Sequence, residues 1–185
     1  SQAGPQLSLF AEPAQEPAPR TVAVTARSPV AAANDDAAPL GRAVHRVLEW
    51  AGQPGPATPL AELAAAAARE FGVVADIVAG HAGAILAHPD GARFFTGPQI
   101  TWSGNEVAVS EAGELLRIDR LVRFEEAGAA PVWWVLDYKL RHAPEALAPY
   151  REQLRRYREA VRVAQPGQAV RCAFIAGDGR VVEID

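Results

Sequence analysis

The chain has 185 residues, 49% of them hydrophobic and 22% charged, which is enough for one domain with a core and extra sequence beside it. A formal net charge of -4 excludes a surface coated in positive charge, but leaves room for a local basic groove. The single cysteine, Cys172, excludes an internal disulfide, a cysteine-based zinc site and an iron–sulfur cluster built by this chain alone.

Cys172 lies in the apolar run VRCAFIA and reads as a small core residue. A lone thiol suits a reducing compartment, so a cytoplasmic location is expected. No apolar run is long enough to span a bilayer, and the opening residues lack the basic start and apolar stretch of a secretory signal. Methionine is absent, even at position 1, so the expectation is a piece of a longer chain or a processed one.

Residues 1–38 are rich in Ala, Pro and Gln, and Pro5, Pro13, Pro17, Pro19 and Pro29 punctuate them. The stretch cannot hold a long helix and reads as a linker or an arm lying on another surface. A globular domain is expected over 39–185. PLGRAVHRVLEWA places Leu40, Val44, Val47, Leu48 and Ala51 on one helical stripe, with His45 at its edge. TPLAELAAAAAREFG predicts a second helix, with Thr58 as N-cap, Pro59 at its first position and Gly72 just past its end. ADIVAGHAGAILAHPDG predicts a third, stopped by HPDG.

Three β-rich runs follow: QITWSGNEVAVS, ELLRIDRLVRF and VWWVLDYKL. The second alternates, which predicts Leu116, Ile118, Arg120 and Val122 on one face and Leu115, Arg117, Asp119, Leu121 and Arg123 on the other. EEAGAAP is short enough to close a hairpin between the second and third strands. PYREQLRRYREAVRVAQPG is the longest helical signal, with Pro149 in its first turn and Leu154, Tyr157 and Val161 on one stripe. AVRCAFIAG and RVVEID, split by Asp178-Gly179, predict a final strand pair. Helices, antiparallel strands, a helix and strands again imply an α/β or α+β sheet with flanking helices.

The end of the third strand carries the chemistry. Asp137 and Lys139 are two apart, so both side chains leave the same face. In a hairpin with the preceding strand, Asp119 of RIDRL can lie close to Asp137. Two carboxylates held together repel unless a cation neutralises them, and all-oxygen ligation suits Mg²⁺ or Mn²⁺. A lysine alongside can orient a water or stabilise charge on a phosphate oxygen, the equipment for metal-assisted phosphodiester hydrolysis. Alone, an Asp-x-Lys doublet carries little, because an Asp in a strand is more often a solvated surface residue. The two strands together form a narrower pattern.

The chain resembles the PD-(D/E)XK nucleases, and among them the RecB-like nuclease domains at the C-termini of bacterial recombination helicases of RecB and AddA type. The resemblance runs from about Gly41 to Asp185. Gly41 and His45 look like the family's G-x-x-x-H helix motif, and Glu106 sits where a strand glutamate is often found. Asp119 in RIDRL and the run LDYK look like the metal aspartate and the D-x-K core. Gln153 and Tyr157 look like the Q-x-x-x-Y helix motif. Arg117 departs from the glycine often found two residues before the first aspartate. The family's iron–sulfur branch is excluded, because Cys172 stands alone.

The resemblance implies a restriction-endonuclease-like core, a central mixed sheet with flanking helices and an N-terminal helical segment. It implies that His45, Asp119, Asp137 and the backbone carbonyl of Tyr138 hold Mg²⁺ or Mn²⁺. Lys139 would position the attacking water, and Gln153 and Tyr157 would contact DNA phosphate or the metal-bound water network. His81, His88 and His142 fall on no motif. Arg151, Arg155, Arg156, Arg158 and Arg162 form a basic wall, which either attracts phosphate or pairs with Glu152 and Glu159 on a solvated helix. Of Trp133 and Trp134, one is expected in the core and the other beneath a helix.

The implied partners are DNA, as single strands from an unwound end, helicase domains of the same parent chain, and a second helicase–nuclease subunit. No P-loop motif is present, so the ATPase would lie elsewhere. The alternative is an inactive nuclease fold that guides DNA or binds a subunit or a sliding clamp. QLSLF, through Gln6, Leu7, Leu9 and Phe10, resembles a short clamp-docking peptide of bacterial DNA-processing proteins. The favoured expectation for it is plainer: Leu7, Leu9 and Phe10 pack back on the nuclease or a helicase domain.

Overall fold

The most apolar run becomes the middle strand of a five-stranded sheet in the computed structural model, which describes residues 38–185. The segment carrying Gln6, Leu7, Leu9 and Phe10 lies outside the described residues. In chain order the elements are α1 (Pro39–Ala51), α2 (Leu60–Phe71), α3 (Ala75–Ala87), α4 (Pro89–Ala92), β1 (Ile100–Glu111), β2 (Glu114–Phe124), β3 (Val132–Lys139), α5 (Ala148–Ala164), β4 (Ala169–Ala176) and β5 (Val181–Ile184). The sheet order is β1-β2-β3-β4-β5. All neighbours are antiparallel except β3 and β4, which run parallel and are joined by α5 as the crossover. The chain is therefore α/β, with a mixed sheet flanked by helices. Among the described residues no helix is long and apolar enough to cross a membrane.

Helices on both sides explain why β3 is apolar almost throughout. Trp134, Leu136 and Tyr138 point into a core shared with α1, α2 and α3, where Val44, Val47, Leu48 and Ile85 are fully buried. Trp133 and Val135 point the other way, against Tyr150, Leu154, Tyr157 and Val161 of α5. Both tryptophans are thus buried, each under helices on its own side. Cys172 lies in the α5-side core, and burial pushes its thiol up to about 11, so it is an inert packing group.

Two local expectations, Thr58 and the alternation in β2, need correction, and two others are met with additions. Thr58 does not cap α2; the cap position is Pro59, whose carbonyl accepts from Glu62 N and Leu63 N, while Gly72 ends the helix at φ 69 as expected. HPDG does stop α3, but it also opens the short helix α4, with His88 Nδ1 accepting from Asp90 N at 3.2 Å. The alternation in β2 does not hold through Asp119. Ile118 joins the α5-side core with Leu121, whereas Arg120 reaches the α1 side. The ladder between β2 and β3 ends at Arg120↔Leu136, and Glu106 interrupts β1 opposite Asp119 with φ 51. Past that point β2 pairs with β1 alone, and across this irregularity one parity no longer means one face. Finally, the basic wall on α5 is mostly paired. Arg156 bridges Glu111 and Glu114, Arg158 and Arg162 meet Glu159, and Arg155 and Arg151 bond the carbonyls of Asp185 and Glu145. Glu111 and Glu114 of the hairpin tip take the part expected of Glu152.

The turn between β4 and β5 wedges against the helical layer. Gly179 has φ 87, and a Cβ there would meet Ala84 O at 2.8 Å and Ile85 Cα at 3.0 Å. Both the backbone conformation and the space exclude a side chain. Gly179→Ala is expected to lower the urea midpoint by the equivalent of about 2–3 kcal/mol with an unchanged slope.

Candidate metal-assisted hydrolytic site

The site lies where β2 and β3 part. Beyond Arg120↔Leu136 the backbone N–H of Tyr138 has lost its ladder partner on β2, and Asp119 Oδ2 accepts it at 2.8 Å. The splayed strand end is thus closed by a carboxylate, which fixes Asp119 beside Asp137. The two carboxyl groups lie close enough that each shifts the titration of the other. On the α5 side, Lys139 Nζ lies 3.1 Å from Asp137 Oδ2, with both side chains about 5% exposed. On the α1 side, His45 Nδ1 lies 3.8 Å from Asp119 Oδ2, and its ring meets Tyr138 edge-on at 5.4 Å. The buried stripe Gly41, Val44, Val47 and Leu48 seats α1 against the sheet, and that seating carries His45 to the acid pair.

Burial drives the electrostatics. It pushes the Asp137 carboxyl up to about 7, with the charge of Asp119 adding to it and Lys139 opposing it. Asp119 is also raised, by burial first, while its interaction with Asp137, the charge of Lys139 and its bond to Tyr138 N hold it down. The buried pair therefore takes up a proton more readily than free carboxylates do, and binds it as a coupled unit. Asp137 Oδ2 has no well-aligned hydrogen-bond donor among the described residues. Tyr157 is buried on α5 near the pair; burial first, and then the two aspartates, push its phenol up to about 12. It stays a protonated donor at neutral pH.

The structure thus brings together Asp119, Asp137, Lys139, His45 and Tyr157. Tyr138 contributes its backbone N–H, while its ring is buried toward α1. Gln153 is half-buried one turn before Tyr157 on α5. Gly41 is buried in α1, and Glu106 lies across the hairpin from Asp119, 3.5 Å from Arg117. His88 caps α4, and the carbonyl of His142 accepts from Arg180 Nη2 at 2.6 Å.

Two carboxylates sharing a proton, one with a buried unmatched oxygen, are a donor set that a hard divalent cation would satisfy in the proton's place. Among the described residues, no group of three or more His, Cys, Asp or Glu side chains converges tightly enough to hold a metal. The residues fit as an oxygen pair with His45 next to it, which would have to move in to complete the set.

Two residues escaped the motif-based reading. Tyr150, fully buried on α5, places its ring 4.9 Å from Lys139 Nζ. Arg120, immediately after Asp119, is fully buried and bonds Phe94 O at 2.8 Å and Asn105 Oδ1 at 2.7 Å. One compositional signal could have singled out the site earlier. Of 18 lysines and arginines in the chain, Lys139 is the only lysine. Where every other cation is a planar guanidinium, a compact ammonium stands at the end of the core strand. Compared with known proteins, the chain matches no family model and no curated protein.

Proposed function

We propose that residues 39–185 form a metal-dependent DNA nuclease domain with a restriction-endonuclease-like core, belonging to a bacterial recombination or repair helicase–nuclease. The observation that carries this reading is the acid pair Asp119–Asp137 closing a splayed strand end, with Lys139 against Asp137 and His45 against Asp119. In this reading Asp119 and Asp137 hold Mg²⁺ or Mn²⁺, with His45 and the Tyr138 carbonyl completing the set. The bound ion would supply Lewis acidity to a phosphate oxygen and acidify a water. Lys139 orients the attacking water and offers a hydrogen bond to the charge that builds on phosphorus-bound oxygen. Tyr157 donates from the opposite wall, and Gln153, one turn away, contacts the DNA strand. The wider assignment is single strands arriving from an unwound end, helicase domains in the same parent chain, and a second helicase–nuclease subunit. The single buried thiol supports a cytoplasmic setting.

One observation favours a second reading. The absence, among the described residues, of a converged three-ligand cluster would suit an inactive fold that guides DNA or binds a subunit or clamp. Metal removal separates the two. Labelled single-stranded DNA is expected to be cut with Mg²⁺ or Mn²⁺, spared in EDTA, and cut again when the ion is restored. Binding without cutting under all three conditions would establish the guiding module, and cutting in EDTA would overturn both readings.

A further inference from the structure

We infer that Tyr150 is a positioning residue whose ring holds Lys139 against Asp137. The inference rests on the nuclease reading for what Lys139 does, but the contact itself stands apart from it. Lysine has four rotatable stem bonds and ordinarily keeps its ammonium in water. Here the side chain is 6% exposed, with Asp137 Oδ2 at 3.1 Å on one flank and the Tyr150 ring at 4.9 Å on another. An aromatic face attracts a cation through its ring quadrupole, more strongly where water is excluded. It also adds no negative charge to a site that already contains two carboxylates.

The ring is itself fixed. Tyr150 is 1% exposed at the start of α5 and packs in the core with Leu154 and Trp133. The link from β3 to α5 is tied on both sides: Arg151 Nη1 donates to Glu145 O at 2.5 Å, and Arg180 Nη2 donates to His142 O at 2.6 Å. Tyr150 N closes the helix start on Leu147 O at 3.1 Å. The position of Lys139 Nζ is thereby referred to the helix crossover and not to the flexibility of its own stem.

Three variants test this: Tyr150→Phe, Tyr150→Met, and Tyr150 replaced by pentafluorophenylalanine, which keeps ring volume while reversing the charge on its face. Phe is expected to retain most of the wild-type kcat. Met and the fluorinated ring are expected to lower kcat about tenfold, the equivalent of about 1.4 kcal/mol in the barrier, with KM for DNA unchanged. The single lysine gives a readout free of activity. Acetic anhydride labelling of the peptide that contains Lys139, followed by mass spectrometry, is expected to run faster in the Met and fluorinated proteins than in wild type and Phe. Equal kcat in all four proteins, or loss in Phe equal to that in Met, would overturn the inference. If the wild type cuts no DNA, the nuclease reading fails and labelling decides alone; equal labelling in all four then overturns the positioning role. Should the Met protein not fold, the Phe and fluorinated pair carries the comparison.

Discussion

Replacing Asp137 by Asn is expected to have opposite effects on activity and stability. On the proposed nuclease reading, cutting of single-stranded DNA in Mg²⁺ should fall by about a thousandfold or more, because the variant would lose an anionic ligand and the partner of Lys139. In metal-free buffer at pH 8 the same variant should be more stable than wild type. The sign follows from the raised carboxyl. Asp137 titrates from 3.8 in the unfolded chain to about 7 in the folded one, so between those values the folded state holds the extra proton. Stability from this group is fully present below about pH 4, is lost progressively up to about 7, and stays low above it. At about 1.36 kcal/mol per unit the whole shift is worth about 4 kcal/mol, and because the two carboxyls and Lys139 titrate together about half of that is expected on substitution. Asn copies the protonated form, so its advantage should be full at pH 8, smaller at pH 5 and gone near pH 4. Thermal melts at the two pH values check this. A variant less stable than wild type at pH 8 would sink the account of a strained acid pair. Mg²⁺ should raise the melting temperature of wild type at pH 8 and leave that of Asp137→Asn unmoved.

The second large effect concerns Arg120. Its guanidinium is fully buried, donating from Nε to Phe94 O at 2.8 Å and from Nη1 to Asn105 Oδ1 at 2.7 Å and Gly52 O at 3.4 Å, with the Phe95 ring 5.0 Å away. Burial lowers its pKa from the usual arginine value. The residue ties the end of α1, the segment after α4 and strand β1 to one point next to Asp119. Arg120→Met keeps much of the volume but leaves those acceptors unmet. The expected loss is about 3 kcal/mol, read as a lower urea midpoint. Arg120→Lys should recover little, since one ammonium cannot reach carbonyls arranged for a planar fork. Full recovery by Lys would show that charge alone matters there.

These residues also show how far the amino-acid order carries. The strand ending in Asp137 and Lys139 was readable because its physics is local: an apolar run makes a covered strand, and a period of two aims both side chains one way. The nearness of Asp119 followed from supposing a hairpin. The face assignment of β2 failed because alternation assumes an unbroken strand, and at Asp119 β2 parts from β3 opposite the irregular Glu106 of β1. Thr58 looked like a cap because capping preferences are local averages, whereas Pro59 already fixes the helix entry. The arginines of α5 could not be divided between phosphate contacts and ion pairs without knowing that Glu111 and Glu114 sit opposite them. Tyr150 was invisible for a similar reason: its partner is eleven residues away across a crossover. The lone lysine was visible throughout, and composition summed with arginine concealed it.

The parting of β2 from β3 leaves the outer half of the β1–β2 hairpin with a ladder on one side only. Among the described residues no residue of 106–119 has a ladder partner outside its own hairpin. Its outer half is held by packing of Val107, Val109 and Ile118 and by the Arg156 bridges. It can therefore open at a lower free energy than β3, which is hydrogen-bonded on both edges for most of its length. Amides of 107–118 should exchange with solvent before those of 132–139. Asp119 belongs to the outer hairpin by chain and is tied to β3 by its bond to Tyr138 N.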